Sequence, residues 1–361
     1  MPTAQQTFEE LLRENVPLAP MTTLGIGGPA KFFADITTTD ALIAGAAWAR
    51  RRAHPLFVLG GGSNVIVADA GFPGLTLRVS ITGIESRLDD NEVVIAAGAG
   101  EEWDSLVARC VANNWSGVEC LSGIPGRVGA TPIQNVGAYG QETSETLVSV
   151  EAFDLITNRL ITLAAAECEF GYRTSRFKMR DRNRFVITRV TYRLLGDGRP
   201  SIRYADLQRH LAERELERPT LAQVREAVLA IRRSKAMVID SADPDSRSVG
   251  SFFVNPTIEV EEFEQLKERI QSQAECDSNI VSFPLSDGRV KLSAAWLIEQ
   301  AGFKGGYIHG RVGTSTKHAL AIINRGGGTA REIVELKELI QKRVLDLFAI
   351  DLTPEPVLIG M

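Results

Sequence analysis

Short apolar runs along the chain, bounded by glycine, proline and polar residues, predict a set of strands. Their lengths of three to ten residues are typical of strands and too short for most helices. The predicted strands are Leu56–Leu59, Val65–Val67, Glu92–Ala97, Phe185–Leu194, Ser251–Val254 and Ala319–Ile323.

Helical spacing of apolar residues predicts helices between these strands. One begins at Glu101 and Glu102, where acidic side chains suit the helix dipole, and carries apolar residues from Trp103 to Val111. Three more follow capping signals: Thr220 with Gln223, Ser293 with Gly302 beyond the helix end, and Thr329 with Glu332. The mixed order of helices and strands predicts an α+β fold, not a regular βαβ series.

Composition and charge narrow the class of protein. The chain has 361 residues, which suggests two or three domains, and 44% hydrophobic with 24% charged residues is typical of globular proteins. A net charge of -5 argues against general nucleic-acid binding. The charged segment Arg199–Thr220 is the predicted domain boundary. The polar N-terminus and the lack of a long apolar run predict no signal peptide and no membrane span.

Cysteines and histidines show no spacing typical of a metal site. Cys110, Cys120, Cys168 and Cys276 form no C-x-x-C pair, and in a chain of this length they predict reduced thiols in a cytosol. The four histidines are scattered without an i, i+4 pair, so no metal is expected.

Two glycine-rich stretches are the candidates for chemistry. Gly60–Asn64 (GGGSN) joins two predicted strands and could hold phosphate oxygens, although a tight structural turn is the commoner reading of such a segment alone. Ser122–Gly140 (SGIPGRVGATPIQNVGAYG) cannot form a regular helix and is too apolar for a solvated loop. Its buried backbone must be satisfied either by a cofactor with a pyrophosphate and a heterocycle or by the protein itself.

Five motifs in this order resemble the UDP-N-acetylenolpyruvoylglucosamine reductase (MurB) family over about residues 22–360. They are GGGSN, SGIPGRVGATPIQNVGAYG, FGYRTSRFK (Phe170–Lys178), GSFFVNP (Gly250–Pro256) and PEPVLIG (Pro354–Gly360). SIRYADL (Ser201–Leu207) resembles the subclass with a substrate-covering tyrosine loop. The resemblance implies an FAD-binding fold of the vanillyl-alcohol oxidase type plus a C-terminal α+β substrate domain. The implied division is residues 1–70 with the tail 350–361, residues 71–212 and residues 213–349.

The resemblance also implies the reaction. NADPH would reduce FAD, and hydride from flavin N5 would pass to C3 of the enolpyruvyl ether of a UDP-sugar, giving UDP-N-acetylmuramate for peptidoglycan. The expected protein is a cytoplasmic monomer without nucleic-acid or membrane partners. Two alternatives stay open: an alcohol or sugar oxidase of the same FAD-binding fold, and a non-catalytic flavin or UDP-sugar binder.

Residue roles are carried over from the family by motif. Ser251 matches the proton donor to C2, and Arg173 and Glu355 match the residues at the substrate carboxylate, where Glu355 is expected to share a proton. Tyr139, Tyr204, Lys235, Asn255 and His318 match substrate contacts, with a structural role as the alternative for His318. The implied FAD contacts are Gly60, Gly61, Gly62, Ser63, Asn64, Ser122, Gly123, Ile124, Pro125, Gly126, Gly129, Ala130, Gln134, Asn135, Gly137, Ala138 and Gly140.

Overall fold

The structure is a computed structural model, and it describes residues 4–271 and 279–361; Cys276 lies outside them. The helices in these ranges are α1 (Ala4–Leu11), α2 (Thr39–Arg51), α3 (Trp103–Ala112), α4 (Ala205–Ala212), α5 (Leu221–Ser234), α6 (Val260–Gln271), α7 (Ala294–Gln300) and α8 (Ala330–Phe348). The strands are β1 (Arg13–Pro17), β2 (Pro29–Ile36), β3 (Leu56–Leu59), β4 (Val65–Val67), β5 (Phe72–Val79), β6 (Ile84–Asp89), β7 (Glu92–Gly98), β8 (Gly137–Ala138), β9 (Gln141–Glu142), β10 (Leu147–Asp154), β11 (Arg159–Ala164), β12 (Phe185–Leu195), β13 (Thr257–Ile258), β14 (Ser282–Pro284), β15 (Val290–Leu292), β16 (Ile308–His309), β17 (Val312–Thr314), β18 (Ile322–Asn324) and β19 (Val357–Ile359).

The first of two compact units contains the residues up to Val16, Pro29–Gly62 and Phe72–Ser234. Its four-stranded sheet has the order β1-β2-β5-β3, and β5 is parallel to both β2 and β3. Helix α2 makes the crossover from β2 to β3 that parallel strands require. A second, five-stranded sheet of order β11-β10-β12-β7-β6 is antiparallel throughout. One apolar core lines both sheets, and a smaller cluster joins α4 to α5.

The second unit contains Pro17–Gly28, Ser63–Gly71 and Lys235–Met361. Two three-stranded antiparallel sheets, β13-β15-β14 and β16-β17-β18, lie with α6, α7 and α8 around a core that includes buried Phe252 and Phe253. Strand β19 pairs in parallel with β4, so the C-terminal tail is tied to residues 65–67 within this unit. No helix in the described ranges is long and apolar enough to span a membrane.

Most of the predicted elements are confirmed. Strands at Leu56–Leu59 and Val65–Val67 have the predicted bounds, and β7 and β12 extend the predicted ones by one residue. All three capping signals form the expected hydrogen bonds: Gln223 N to Thr220 Oγ1, Trp296 N to Ser293 Oγ, and Glu332 N to Thr329 Oγ1. The predicted α+β class is therefore correct.

Some predicted elements differ from the structure. Ser251–Val254 is not a strand, because its partners offer only single contacts, such as Phe252 N with the Leu320 carbonyl, and no continuous ladder. The strand predicted at Ala319–Ile323 forms only from Ile322. Helix α3 begins at Trp103, so Asp104, not Glu101 or Glu102, is the acid in its first turn.

The segment Arg199–Thr220 is not a linker between the two units. It contains α4, whose Leu207 and Leu211 are buried in the cluster with α5, and the first unit continues to Ser234. Its charged residues lie at half-buried or exposed positions, most of them in the loops on either side of α4, which is why composition alone suggested a boundary. The predicted division into three domains stays a prediction.

Candidate active site

The two glycine-rich stretches meet in the first unit. A Cβ added to Gly61 would lie 2.7 Å from the Cα of Gly126, so glycine is needed there for the two loops to pack. A Cβ added to Gly60 would meet only the Ala130 Cβ, at 3.9 Å, and room remains beside it. Gly62, Gly123 and Gly126 all have positive φ values, of 66°, 72° and 121°. The glycines therefore serve loop packing and turning at least as much as the approach to a ligand.

The segment Ser122–Gly129 is held by α3 and by the residues just before it. Gly123 N donates to Asp104 Oδ1 at 2.6 Å, and Ser122 Oγ donates to the Glu119 carbonyl at 2.6 Å. Asp104 also receives two hydrogen bonds from Arg225, at 2.6 and 2.8 Å. Burial acts to raise the pKa of Asp104, but Arg225 and the Gly123 N–H outweigh it, and the net shift is downward. The sequence analysis did not single out Asp104, because it placed the start of this helix at Glu101 and Glu102.

Three backbone N–H groups in this segment point to an anion site. Within the described residues, no acceptor receives a hydrogen bond from the N–H of Ile124, Gly126 or Arg127, and all three residues are half-buried. Successive N–H groups without a protein acceptor can bind phosphate oxygens. The donor set of this loop therefore fits a diphosphate.

The second half of the stretch, Gln134–Gly140, ends in a tight hairpin. Strands β8 and β9 are joined by Tyr139 and Gly140, which have φ values of 48° and 84°. Two positive φ values in a two-residue loop define a type I′ turn, where asparagine and glycine are usual and tyrosine is costly. A strained tyrosine in such a turn favours a functional role for its side chain.

Arg173 reaches this hairpin. Its Nη2 donates to the Gly137 carbonyl at 2.5 Å, and its own carbonyl accepts from Lys178 Nζ at 3.0 Å. Arg173 has a φ of 55°, another positive value for a residue with a Cβ. Asn135, with a φ of 45°, is buried and donates to Glu142 Oε2 at 2.7 Å. The structure thus places Arg173 against the predicted flavin loop.

Tyr139 and Tyr204 form an aromatic pair. Their ring centroids are 5.6 Å apart and their planes are 89° to each other, an edge-to-face arrangement. Burial raises the pKa of Tyr139 to about 12 and also raises the pKa of Tyr204, so both phenols stay neutral at physiological pH. Tyr204 directly precedes α4 and is 42% exposed, which leaves it accessible to a ligand.

The backbone segments that carry Ser251 and Glu355 pair in the second unit. Glu355 N donates to the Phe252 carbonyl at 2.9 Å, and Val254 N donates to the Thr353 carbonyl at 3.0 Å. Asn64 joins them, because its Nδ2 donates to the Glu355 carbonyl at 3.3 Å and its own carbonyl accepts from Val357 N. Three separated motifs, GGGSN, GSFFVNP and PEPVLIG, therefore converge, whereas Arg173 lies in the first unit. Ser63 belongs to the second unit with Asn64.

The remaining predicted contacts, Asn255, Lys235 and His318, also lie in the second unit. Asn255 Oδ1 accepts from Ala294 N at 3.0 Å, so its oxygen supports the start of α7. Asp245 fixes the turn before His318, since it accepts from Ser315 Oγ, Thr316 N and Thr316 Oγ1 at 2.6–3.0 Å. Lys235 is near enough to His318 to affect its titration.

Burial, with a smaller contribution from Lys235, lowers the pKa of His318 to about 4. The unfolded chain, with an ordinary histidine pKa, then binds more protons than the folded chain between about pH 4 and 6.5. Stability from neutral His318 is thus present above that window and lost as the pH falls through it. We expect wild type to lose roughly 1–3 kcal/mol more than His318→Gln between pH 7 and 4, measured by urea unfolding. Parallel losses in both proteins would contradict this.

No group of three or more histidine, cysteine, aspartate or glutamate side chains in residues 4–271 and 279–361 is arranged to hold a metal ion. The polar groups described above are instead N–H donors, a guanidinium, tyrosines, a serine and a carboxylate. This set suits an anionic organic ligand better than a metal.

Comparison with known sequence families first defines the class of protein. Residues 30–163 match the sequence family described as "FAD binding domain", a range that contains both glycine-rich stretches as far as Gly140. The chain is therefore a flavoprotein with an FAD-binding domain. Residues 243–359 match a second family, described as "UDP-N-acetylenolpyruvoylglucosamine reductase, C-terminal domain".

Full-length relatives define the family. A UDP-N-acetylenolpyruvoylglucosamine reductase of Thermobifida fusca is 51% identical over 96% of this chain and 98% of its own length. One of Salinispora arenicola is 46% identical over 95% of this chain and 94% of its own. The crystal structure of the Thermus caldophilus enzyme has a TM-score of 0.63 and 25% identity and covers 97% of this chain and 100% of its own. The chain belongs to the UDP-N-acetylenolpyruvoylglucosamine reductase (MurB) family.

Proposed function

We propose that this enzyme reduces UDP-N-acetyl-3-O-(1-carboxyvinyl)glucosamine to UDP-N-acetylmuramate, the reductive step in making the peptidoglycan precursor. It is an oxidoreductase that uses FAD as its cofactor and NADPH as its electron donor. The observation that carries the assignment of its site is the hydrogen bond from Glu355 N to the Phe252 carbonyl, because it brings the segments of Ser251 and Glu355 together.

The first unit would hold FAD. The N–H groups of Ile124, Gly126 and Arg127 are suited to its diphosphate. The Gly60 loop, which has room beside Gly60, packs against this segment through the Gly61–Gly126 contact. When bound, FAD carries electrons from NADPH to C3 of the enolpyruvyl group.

The protein's own side chains would handle charge and protons at the substrate. Arg173, already fixed through the Gly137 carbonyl, is proposed to bind the carboxylate on which negative charge develops. Ser251 is proposed to donate its Oγ proton to C2, and Glu355 to share a proton with the substrate carboxylate. Tyr139, Tyr204, Lys235, Asn255 and His318 stay proposed substrate contacts, as does membership of the tyrosine-loop subclass.

We further propose that the enzyme works as a monomer in the cytoplasm. Cys110, Cys120 and Cys168 are buried and not joined in disulfides, and burial raises the pKa of each thiol. Buried thiols of raised pKa are unreactive, which suits a protein that keeps them reduced.

A spectrum with a turnover assay tests the function. The purified protein should be yellow with releasable FAD, NADPH should bleach it without oxygen, and the enolpyruvyl nucleotide should then restore the oxidised spectrum. A protein that is colourless and cannot be reconstituted with FAD would refute the proposal. An oxidase, the less favoured alternative, would instead be reoxidised rapidly by oxygen and not by the nucleotide.

A further inference from the structure

Glu119 is a completely buried carboxylate outside the set of residues discussed so far as substrate or cofactor contacts. It begins the short 3-10 helix Glu119–Leu121, directly before the flavin loop, and its side chain has no exposed surface. A buried carboxylate is costly unless its oxygens receive hydrogen bonds. The partners of Glu119 therefore show what the residue holds together.

Three donors from separate parts of the first unit reach this carboxylate. Gly117 N donates at 2.7 Å, Gln141 Nε2 at 2.9 Å and Ser201 N at 2.9 Å. Gln141 in turn accepts from Cys120 N at 2.8 Å, and Cys120 Sγ contacts the Ser201 carbonyl at 3.5 Å. Glu119 is thus the common acceptor of a network in which its own carboxylate and Gln141 are buried and Gly117 and Ser201 are half-buried.

Two of these donors lie close in sequence to the aromatic pair. Gln141 follows Tyr139 by two residues, at the end of the strained hairpin turn, and Ser201 precedes Tyr204 by three. Gly140 packs on the second segment, since an added Cβ there would lie 3.1 Å from the Arg203 Cβ and 3.5 Å from Tyr204 N. A single carboxylate therefore joins the backbone segments that carry the two tyrosines.

We propose that Glu119 is a positioning residue that keeps Tyr139 and Tyr204 together as a preformed wall of the substrate site. The inference rests on the proposed function, because it assigns the two tyrosines to substrate. Glu119 touches neither substrate nor flavin in this role; it acts through Gln141 and Ser201. Hydrogen bonds to a carboxylate are stronger than those between neutral groups, and a wall ordered in advance spares the substrate the entropy cost of ordering it.

Glu119→Gln tests the proposal with little change of shape. The amide nitrogen must replace either Oε1, which accepts from Gln141 Nε2 and Ser201 N, or Oε2, which accepts from Gly117 N. In either orientation the negative charge that strengthens all three hydrogen bonds is lost. We expect the KM for the UDP-sugar to rise about tenfold or more with a much smaller change in kcat. Hydrogen exchange in the peptide 199–206 should quicken by a similar factor, about tenfold. This second measurement does not depend on activity or bound flavin.

Asp154→Asn is the matched control. Asp154 is also a buried carboxylate of the first unit, 2% exposed, but it accepts from Arg184 at 2.8 Å and from the N–H of Ile156, and neither partner belongs to a tyrosine segment. It should lower the melting temperature without changing the KM or exchange in 199–206. If Glu119→Gln likewise lowered only the melting temperature and left the KM and exchange in 199–206 unchanged, the proposal would be overturned. Glu119 would then be a general stabiliser of the fold.

Gln141→Met provides a second variant should Glu119→Gln not fold. It removes both hydrogen bonds of the Gln141 side chain, to Glu119 and from Cys120 N, and leaves Ser201 N bonded to Glu119. We expect a raised KM and faster exchange in residues 136–142, while 199–206 stays protected; an unchanged KM would overturn the proposal. Wild-type protein without turnover would instead refute the proposed function, while its exchange pattern would still report on the anchoring.

Discussion

Replacing Ser251 by alanine is expected to slow reoxidation of the reduced enzyme by the enolpyruvyl nucleotide by about 10²–10⁴, the effect typical of a lost general acid. Reduction by NADPH should stay near the wild-type rate, because no proton from Ser251 is needed there. Stopped-flow absorbance of the flavin, recorded anaerobically, separates the two half-reactions.

The backbone around Ser251 makes this substitution specific to the hydroxyl. Phe252 N bonds the Leu320 carbonyl, and the Phe252 carbonyl accepts from Glu355 N, so neither contact involves the Ser251 side chain. Ser293→Ala is a suitable control, because its hydroxyl caps α7 in the same unit at 3.2 Å. It should cost about 1 kcal/mol of stability and leave both half-reactions unchanged. Equal slowing of both half-reactions in Ser251→Ala would mean that Ser251 positions the flavin or the fold.

Local signals accounted for much of the fold. Capping pairs such as Thr329 with Glu332 were predicted correctly because both partners lie within one helical turn, and strand β12 because its length and apolar content are local properties. The prediction of a strand at Ser251–Val254 was wrong because that outcome is not decided locally. Whether an apolar segment becomes a strand depends on partners distant in sequence, and here Leu320 and Thr353 each provide only isolated contacts.

For the same reason, the glycine-rich part of the candidate site could be predicted from the sequence, whereas the residues that hold it in place could not. Glycine and proline spacing exposed the flavin loop, since backbone conformation leaves a direct mark on residue choice. The roles of Asp104 and Glu119 could not be predicted from local sequence, because the groups that donate hydrogen bonds to them come from residues up to 121 positions away. Gly61 is a related case. A glycine there predicts that another group approaches the backbone closely, but it does not predict that this group is Gly126.

Arg173→Lys is expected to lower kcat by about 10²–10³, the range for losing one donor aimed at developing charge. Both residues carry a Cβ and a positive charge, so the strained φ of 55° costs the same in each and the substitution isolates the guanidinium. Arginine can donate to the Gly137 carbonyl through Nη2 and still present its remaining N–H groups to a carboxylate. A lysine ammonium is a point charge that would have to choose between them.

Arg180→Lys is the matched control for this substitution. Arg180 lies seven residues further along the same segment, is 57% exposed and pairs with Glu169 at 2.6 Å on the surface, where an ion pair contributes little. It should leave kcat and the KM for the UDP-sugar unchanged in a steady-state assay of NADPH oxidation. Arg173→Lys should show its loss mainly in kcat, because charge on the substrate carboxylate grows toward the transition state. A rise in KM alone would mean that Arg173 binds the ground-state carboxylate without assisting the reaction, and equal behaviour of the two variants would remove Arg173 from the site.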